Sequence, residues 1–201
     1  MFDRQLLSLT KPIVDYCAQQ FQQRKITANQ ISIFGFGFGV AAALLIAAGF
    51  FALALLPLLI NRFMDGIDGA IARLGTPSDR GAFLDITLDF LFYAAIPLAF
   101  ALHDPTRNAL AATVLLAAFI GTGVSFLAYA IIAEKRGDKN TAYPSKAFYY
   151  LGGLAEGSET VLCFVLMCLW PHRFAMIASV YSALCGVTTA TRLVAGWKRF
   201  A

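Results

Sequence analysis

The chain has 201 residues, of which 59% are hydrophobic and 14% charged, and a formal net charge of +4. Mean hydropathy is +0.68, whereas a soluble domain carries about 25% charged residues, so the composition excludes an ordinary soluble domain and points to an integral membrane protein. The length fits one compact helical bundle (residues 1–201 as a single membrane domain) with no room for a second domain, and no nucleic-acid partner is expected.

In chain order, residues 1–25 come first. Phe2, Leu6, Leu9, Ile13, Cys17 and Phe21 fall at helical spacing, with charges and glutamines on the other face. This pattern predicts an amphipathic helix lying on the membrane surface. It has no continuous apolar core, so it is not a signal peptide.

Residues 26–61 contain no charged residue. As one helix they would measure ~54 Å, against a hydrocarbon core of ~30 Å. Two spans are therefore predicted, turning near Gly49 and Phe50, with the second running on to about Arg73. Four more are predicted over residues 81–102, 108–133, 147–170 and 174–195, separated by breakers at Gly75 and Pro77, His103 and Pro105, Gly137 and Pro144, and Pro171. Pro57 and Pro97 are expected inside spans, where proline is tolerated. The expected fold is all-α, with six transmembrane helices over residues 26–197 preceded by the surface helix.

With six spans both termini share a side. That side receives Arg4, Lys11, Arg24, Lys25, Arg73, Arg80, Lys135, Arg136, Lys139, Lys146, Arg192, Lys198 and Arg199, and the other receives Arg107 and Arg173. The positive-inside rule places both termini in the cytoplasm, and the plasma (inner) membrane of a bacterium is the expected location.

The stretch MDGIDGAIARLGTPSDRGAFLDITLD, residues 64–89, carries Asp65, Asp68, Asp79, Asp85 and Asp89. Carboxylates at membrane depth are functional candidates by default. Asp79 belongs to the loop, as a solvated or capping residue. Measured inward from the loop, Asp68 lies ~7 Å and Asp65 ~12 Å along one helix, and Asp85 ~6 Å and Asp89 ~12 Å along the next. Antiparallel packing would set Asp68 level with Asp85 and Asp65 level with Asp89, with each pair on one helix face. Four carboxylates so close must share protons or hold cations. Oxygen ligands favour Mg²⁺, Mn²⁺ or Ca²⁺ over zinc, and two such ions would form a clamp for a phosphoryl centre. Gly69, Ala72 and Gly81 leave space there for a ligand, and Arg73 supplies a planar phosphate donor.

The pattern Asp65-x-x-Asp68-Gly69-x-x-Ala72-Arg73 followed by Gly81-x-x-x-Asp85-x-x-x-Asp89 resembles the signature of the CDP-alcohol phosphotransferases, with all eight signature positions present. The segment KITANQIS, residues 25–32, resembles the family's opening of the first span, with Asn29 at the cytoplasmic edge. The resemblance implies that an alcohol attacks the β-phosphate of a CDP-linked donor and CMP leaves. It implies that Asp65, Asp68 and Asp85 hold two Mg²⁺ or Mn²⁺ ions, and that Asp89 binds one metal and acts as the catalytic general base. Asn29, Asp68, Gly69, Ala72, Arg73 and Gly81 would hold the CDP group. CDP-diacylglycerol is the expected donor and a small polar alcohol the acceptor, with a soluble CDP-alcohol donor and a lipid acceptor as the alternative. After Asp89 the chain reads FLFYAAIP, without the basic residue that follows closely in several phosphatidylglycerophosphate- and phosphatidylinositol-type members.

The acceptor candidates are Arg62, Lys135, Arg136, Lys146, Glu156, Glu159 and Arg192. Arg62 would balance the cluster or touch ligand. The basic residues at 135, 136, 139 and 146 read first as positive-inside charges, and Glu156 and Glu159 read equally as ligand contacts or as partners of Arg192. His103 and His172 fall on the outer side. The cysteines (Cys17, Cys163, Cys168, Cys185) show no metal-ligand spacing and read as small apolar residues. Gly121 and Gly123 read as close helix packing or a dimer contact, and a homodimer is expected. A transporter using the carboxylates as a cation site would need broken helices or paired halves, and neither is visible. Intramembrane prenyltransferases of the ubiquinone type keep their acidic motifs far apart in the chain, whereas here the two face each other across one short loop. A purely structural bundle leaves the aspartates unexplained.

Overall fold

The computed structural model describes residues 3–137 and 155–201 of the chain. Among the described residues every regular element is a helix: α1 Asp3–Gln23, α2 Ala28–Ala47, α3 Phe51–Leu74, α4 Asp79–His103, α5 Pro105–Lys135, α6 Gly157–Leu169 and α7 Phe174–Phe200, with one 3₁₀ turn at Pro171–Arg173. Phe2, Lys139, Pro144, Lys146 and the start of the expected fifth span lie outside the described residues.

The helix boundaries have local causes. Thr27 and Gln30 form a capping box at the start of α2, with Gln30 N–H donating to Thr27 Oγ1 at 3.3 Å and Thr27 N–H to Gln30 Oε1 at 2.9 Å, so two orphan donors are satisfied. Gly49, at φ +87°, ends that helix in the left-handed region, and Phe50 N–H returns to Leu45 O at 2.8 Å. A side chain at Gly49 would also meet the His103 ring at 2.9 Å, so the expected turn between the first two spans requires glycine both for its φ and for its packing. Ser78 caps α4 by accepting from Gly81 N–H at 3.1 Å. Asp104 caps α5 by accepting from Arg107 N–H at 3.1 Å, with Pro105 in the first turn where its missing N–H costs nothing.

Among the described residues four segments are long and apolar enough to cross a membrane: Ala28–Ala47, Asp79–His103, Pro105–Lys135 and Pro171–Phe200. Helix α3 has 24 residues but carries Arg62, Asp65, Asp68 and Arg73 in its second half. Helix α6 has 13 described residues. Both differ from a plain span for visible reasons: α3 turns Arg62, Asp65 and Asp68 inward while Arg73 stays exposed, and α6, expected within a span over 147–170, begins only at Gly157 after non-helical Ala155 and Glu156 and is shorter than a bilayer crossing.

Helix α2 packs on α3 and α4, α5 on α4 and α7, and α6 on α3 and α7. The main core lies toward the Phe51, His103 and Phe174 end, where Phe51 stacks on Phe100 at 5.6 Å and Phe100 on Phe174 at 4.5 Å. Phe92, Phe100, Phe164 and Phe174 are fully buried. Large apolar side chains such as Leu44, Leu53, Leu98, Leu110, Ile120 and Ile131 point outward, as a lipid-facing surface requires. Helix α1 packs on α3 through Val14 and Ala18, which join Ile31, Ile67, Ala70 and Ile71 in a second core. Cys17 and Phe21 of the expected apolar face pack against this core, and Ile13 is the described member of that face that does not. Ile13 is 61% exposed because the face laid against the protein runs through Val14 and Ala18, leaving Ile13 and Tyr16 on the outer side.

Candidate functional site

Two helix ends build the site. Asp65 and Asp68 lie one turn apart in the second half of α3, and Asp85 and Asp89 lie one turn apart near the start of α4. One carboxylate oxygen from each of Asp65, Asp68 and Asp85 falls within 4.8 Å of the others. Asp68 is buried and Asp85 exposed, so the cluster opens toward the loop between the helices. The donor set is all oxygen and all acidic, which fits a hard divalent cation.

Asp89 stands apart from that trio. Its Oδ1 lies 2.9 Å from Arg62 Nη2, and Arg62 Nη1 lies 3.8 Å from Asp65 Oδ2. The expected levelling of Asp65 with Asp89 is visible here, since both carboxylates reach one guanidinium. That cation costs energy at this depth unless paired, and its surroundings account for its place: Nε donates to Asn61 Oδ1 at 2.7 Å, Nη1 to Tyr93 Oη at 3.3 Å, and the group sits 4.4 Å over the Phe92 ring. Asn61 donates in turn to Gly35 O at 2.8 Å.

Helix α2 closes the pocket. Ser32 Oγ lies 2.5 Å from Asp68 Oδ2, and Ser32, Gly35 and Phe36 line the pocket together with Asn61, Arg62, the four aspartates and Leu88. The candidate donor-binding residues gather at the same end. The position of a Cβ on Gly81 would lie 3.2 Å from Asn29 Oδ1, and one on Gly69 would lie 3.3 Å from Arg73 Nη1. Thus Asn29 faces Gly81, and the Arg73 guanidinium lies beside Gly69. Ala72 is half-buried and Arg73 exposed.

The acceptor candidates separate. Among the described residues Arg62 is the one that lines the pocket. Lys135 and Arg136 are exposed at the end of α5, with Arg136 5.8 Å over the Phe200 ring. Lys146 lies outside the described residues. Glu156 is buried at the start of α6, where its carbonyl accepts from Thr160 Oγ1 at 2.8 Å. Glu159 accepts from Ser158 Oγ at 3.1 Å. Arg192 is buried and donates to Thr122 O on α5 at 3.0 Å. The start of α6 nonetheless comes close behind the site, since a Cβ on Gly157 would lie 3.7 Å from Tyr93 Oη.

Ser32, Asn61 and Tyr93 were not among the expected site residues. Each carries a readable signal. Ser32 follows Asn29 by one helical turn, Tyr93 follows Asp89 by one turn, and Asn61 is a lone polar residue ending a charge-free run. Gly123 packs against Phe90 of α4, and Gly121 against Thr189 of α7, so both glycines of the fourth expected span serve packing within the chain.

Comparison with known proteins adds a family match, a relative and two solved structures. Residues 25–191 match the family described as CDP-alcohol phosphatidyltransferase. The chain is 49% identical over 197 residues to the inner membrane protein YnjF of Escherichia coli (strain K12), covering 98% of this chain and 96% of that one. Among solved structures, Mycobacterium tuberculosis phosphatidylinositol phosphate synthase (PgsA1) with CDP-DAG bound aligns with a TM-score of 0.74 at 21% identity, over 92% of this chain and 94% of that one. The same synthase in complex with manganese and citrate aligns with a TM-score of 0.72 at 20% identity, over 92% and 88% of the two chains. At such identities the likeness establishes the fold.

Proposed function

The chain belongs to the CDP-alcohol phosphatidyltransferase family, and on that premise we propose that it transfers a phosphatidyl group from CDP-diacylglycerol to the hydroxyl of a small polar alcohol. The new bond joins the acceptor oxygen to the β-phosphorus of the donor, the bond from that phosphorus to CMP breaks, and CMP leaves. The observation that carries this reading is the convergence of Asp65, Asp68 and Asp85 within 4.8 Å beside a fourth aspartate, inside a match that spans residues 25–191.

Each residue then has a task. Asp65, Asp68, Asp85 and Asp89 would hold two Mg²⁺ or Mn²⁺ ions. Such ions neutralise the donor's phosphates and stabilise charge on the attacking and leaving oxygens. Asp89 takes the proton of the acceptor hydroxyl as general base. Gly69, Ala72 and Gly81 leave room for the CDP group, Asn29 and Asp68 orient it, and Arg73 offers a planar fork to phosphate. Ser32 orients the Asp68 carboxylate from behind. The donor's acyl chains find apolar side chains facing outward around the bundle, while the reacting phosphates stay ~6–12 Å below the helix ends.

The same reading includes six spans, with α3 and α6 as the two beyond the four evident by length and composition among the described residues. Both termini are then cytoplasmic, in a bacterial inner membrane, and the chain pairs as a homodimer. The test is CMP release by protein purified in detergent, supplied with CDP-diacylglycerol, Mn²⁺ or Mg²⁺ and a panel of alcohols. Acceptor-dependent release is expected, abolished by EDTA and restored by metal. Asp89→Asn is expected to keep metal-dependent donor binding and lose turnover by about 10²–10⁴-fold, the usual size of a general-base contribution. Release supported by a soluble CDP-alcohol and a lipid acceptor, and by no alcohol with CDP-diacylglycerol, would reverse the donor assignment. Full activity in Asp89→Asn would end its proposed role.

A further inference from the structure

Arg62 divides the four aspartates into three and one. Its contacts with Asp89 and Asp65 are unequal: a hydrogen-bonding 2.9 Å to Asp89 against 3.8 Å to Asp65. Asp65 stays with Asp68 and Asp85 in the tight trio, while Asp89 is drawn to the guanidinium. The guanidinium itself is fixed from several sides, by Asn61 at 2.7 Å, Tyr93 at 3.3 Å and the Phe92 face at 4.4 Å, and its side chain is only 13% exposed. A planar fork held by a side-chain carbonyl, a phenol and an aromatic face has little freedom to swing. The close contact is to Asp89 Oδ1, and Asp89 is at the same time a lining residue of the pocket.

We propose that Arg62 is the positioning residue for Asp89, holding that carboxylate apart from the Asp65–Asp68–Asp85 trio so that one of its oxygens stays available to the acceptor hydroxyl. The proposal rests on the reading of Asp89 as general base given above. Without Arg62, both oxygens of Asp89 would be free to engage the cations that it helps to hold, giving a site that binds metal more tightly and turns over more slowly. Arg62 touches no reacting atom in this scheme and acts through Asp89.

The test is a double-mutant cycle with two readouts, using Arg62→Met, Asp89→Asn and the pair. The first readout is Mn²⁺ affinity by electron paramagnetic resonance, which needs no turnover. Arg62→Met is expected to tighten Mn²⁺ binding about tenfold, and that gain is expected to fall below about threefold on the Asp89→Asn background, because the effect runs through Asp89. The second readout is CMP release. Arg62→Met is expected to lower kcat by about 100-fold with KM for the donor within about threefold, and to add little to Asp89→Asn. Arg62→Lys, which keeps the charge but not the fork, and Tyr93→Phe, which removes one anchor, should fall between wild type and Arg62→Met, and both guard against loss of fold in the methionine variant. Unchanged Mn²⁺ affinity, an affinity gain that persists without Asp89, or additive losses in kcat would each overturn the proposal. A wild-type protein that releases no CMP would refute the assigned reaction, and the Mn²⁺ cycle would still decide the role of Arg62.

Discussion

Asp68 is buried between helices, and the Ser32 hydroxyl reaches it from α2 at 2.5 Å. A carboxylate that must present one oxygen to a cation is oriented by what holds the other, and partners of this kind change metal affinity by about 10–100-fold when removed. Ser32→Ala is therefore expected to weaken Mn²⁺ binding about tenfold while leaving the helices intact, as read by Mn²⁺ titration beside a circular dichroism spectrum. An unchanged affinity would mean that Asp68 is oriented without Ser32. The residues of the pocket differ in how far the sequence exposes them. The aspartates are legible because their spacing repeats the helix turn within two short segments. Arg62 is visible as a charge at depth, but its choice of Asp89 over Asp65 depends on the placing of Asn61, Phe92 and Tyr93, of which two lie on another helix.

At the scale of the element, α2 shows how packing brings the pocket together. Gly35 and Gly39 are buried one turn apart, and Gly37 is exposed on the other face. A Cβ on Gly39 would meet the Phe92 ring at 2.7 Å and Asn61 Nδ2 at 3.1 Å, whereas one on Gly37 would meet nothing within 4 Å. Gly39→Ala is expected to destabilise by about 1–3 kcal/mol, because an added carbon in a filled contact forces its neighbours aside. Gly37→Ala is expected to stabilise by about 0.5–1 kcal/mol, the ordinary gain of alanine over glycine in a helix. Thermal unfolding in detergent separates the two, and equal shifts in one direction would show that close packing of α2 is not what Gly39 provides. The Gly39 change also presses on Asn61 and Phe92, both neighbours of Arg62, so it should lower activity where Gly37→Ala does not.

The whole molecule is polarised along its helices. The Phe51, His103 and Phe174 end is filled by stacked aromatic rings, and the opposite end carries the aspartate pocket, α1 and most of the basic residues. In the proposed orientation that asymmetry follows the positive-inside rule. A fluorescent-protein fusion after Ala201 should fluoresce in a bacterial host, and an alkaline phosphatase fusion at the same point should be inactive. The opposite pair of results would invert the orientation and put the pocket on the wrong side for a cytoplasmic nucleotide. Helix ends were legible in the sequence where local breakers stand, as at Gly49, at Gly75 with Pro77 and at His103 with Pro105, whereas the caps at Thr27, Ser78 and Asp104 emerged with the structure. On α1 the expected Cys17 and Phe21 pack against the second core, but Ile13 gives way to Val14 and Ala18, because residues 10–23 offer overlapping apolar stripes and contact with Ile67, Ala70 and Ile71 selects among them.

By itself the sequence determined the membrane class, the all-helical fold, the family resemblance and the four aspartates, because each is written in composition or in spacing along one or two helices. Tertiary structure decided how those aspartates divide, that Ser32 serves Asp68, and that Arg62 is tied to Asp89 under an aromatic cover. It also decided that Arg192 turns to Thr122 and that Gly121 and Gly123 pack against Thr189 and Phe90. These depend on which face of one helix meets which face of another. That choice is made by fitting glycines, rings and buried polar groups across the bundle, and no single segment encodes it.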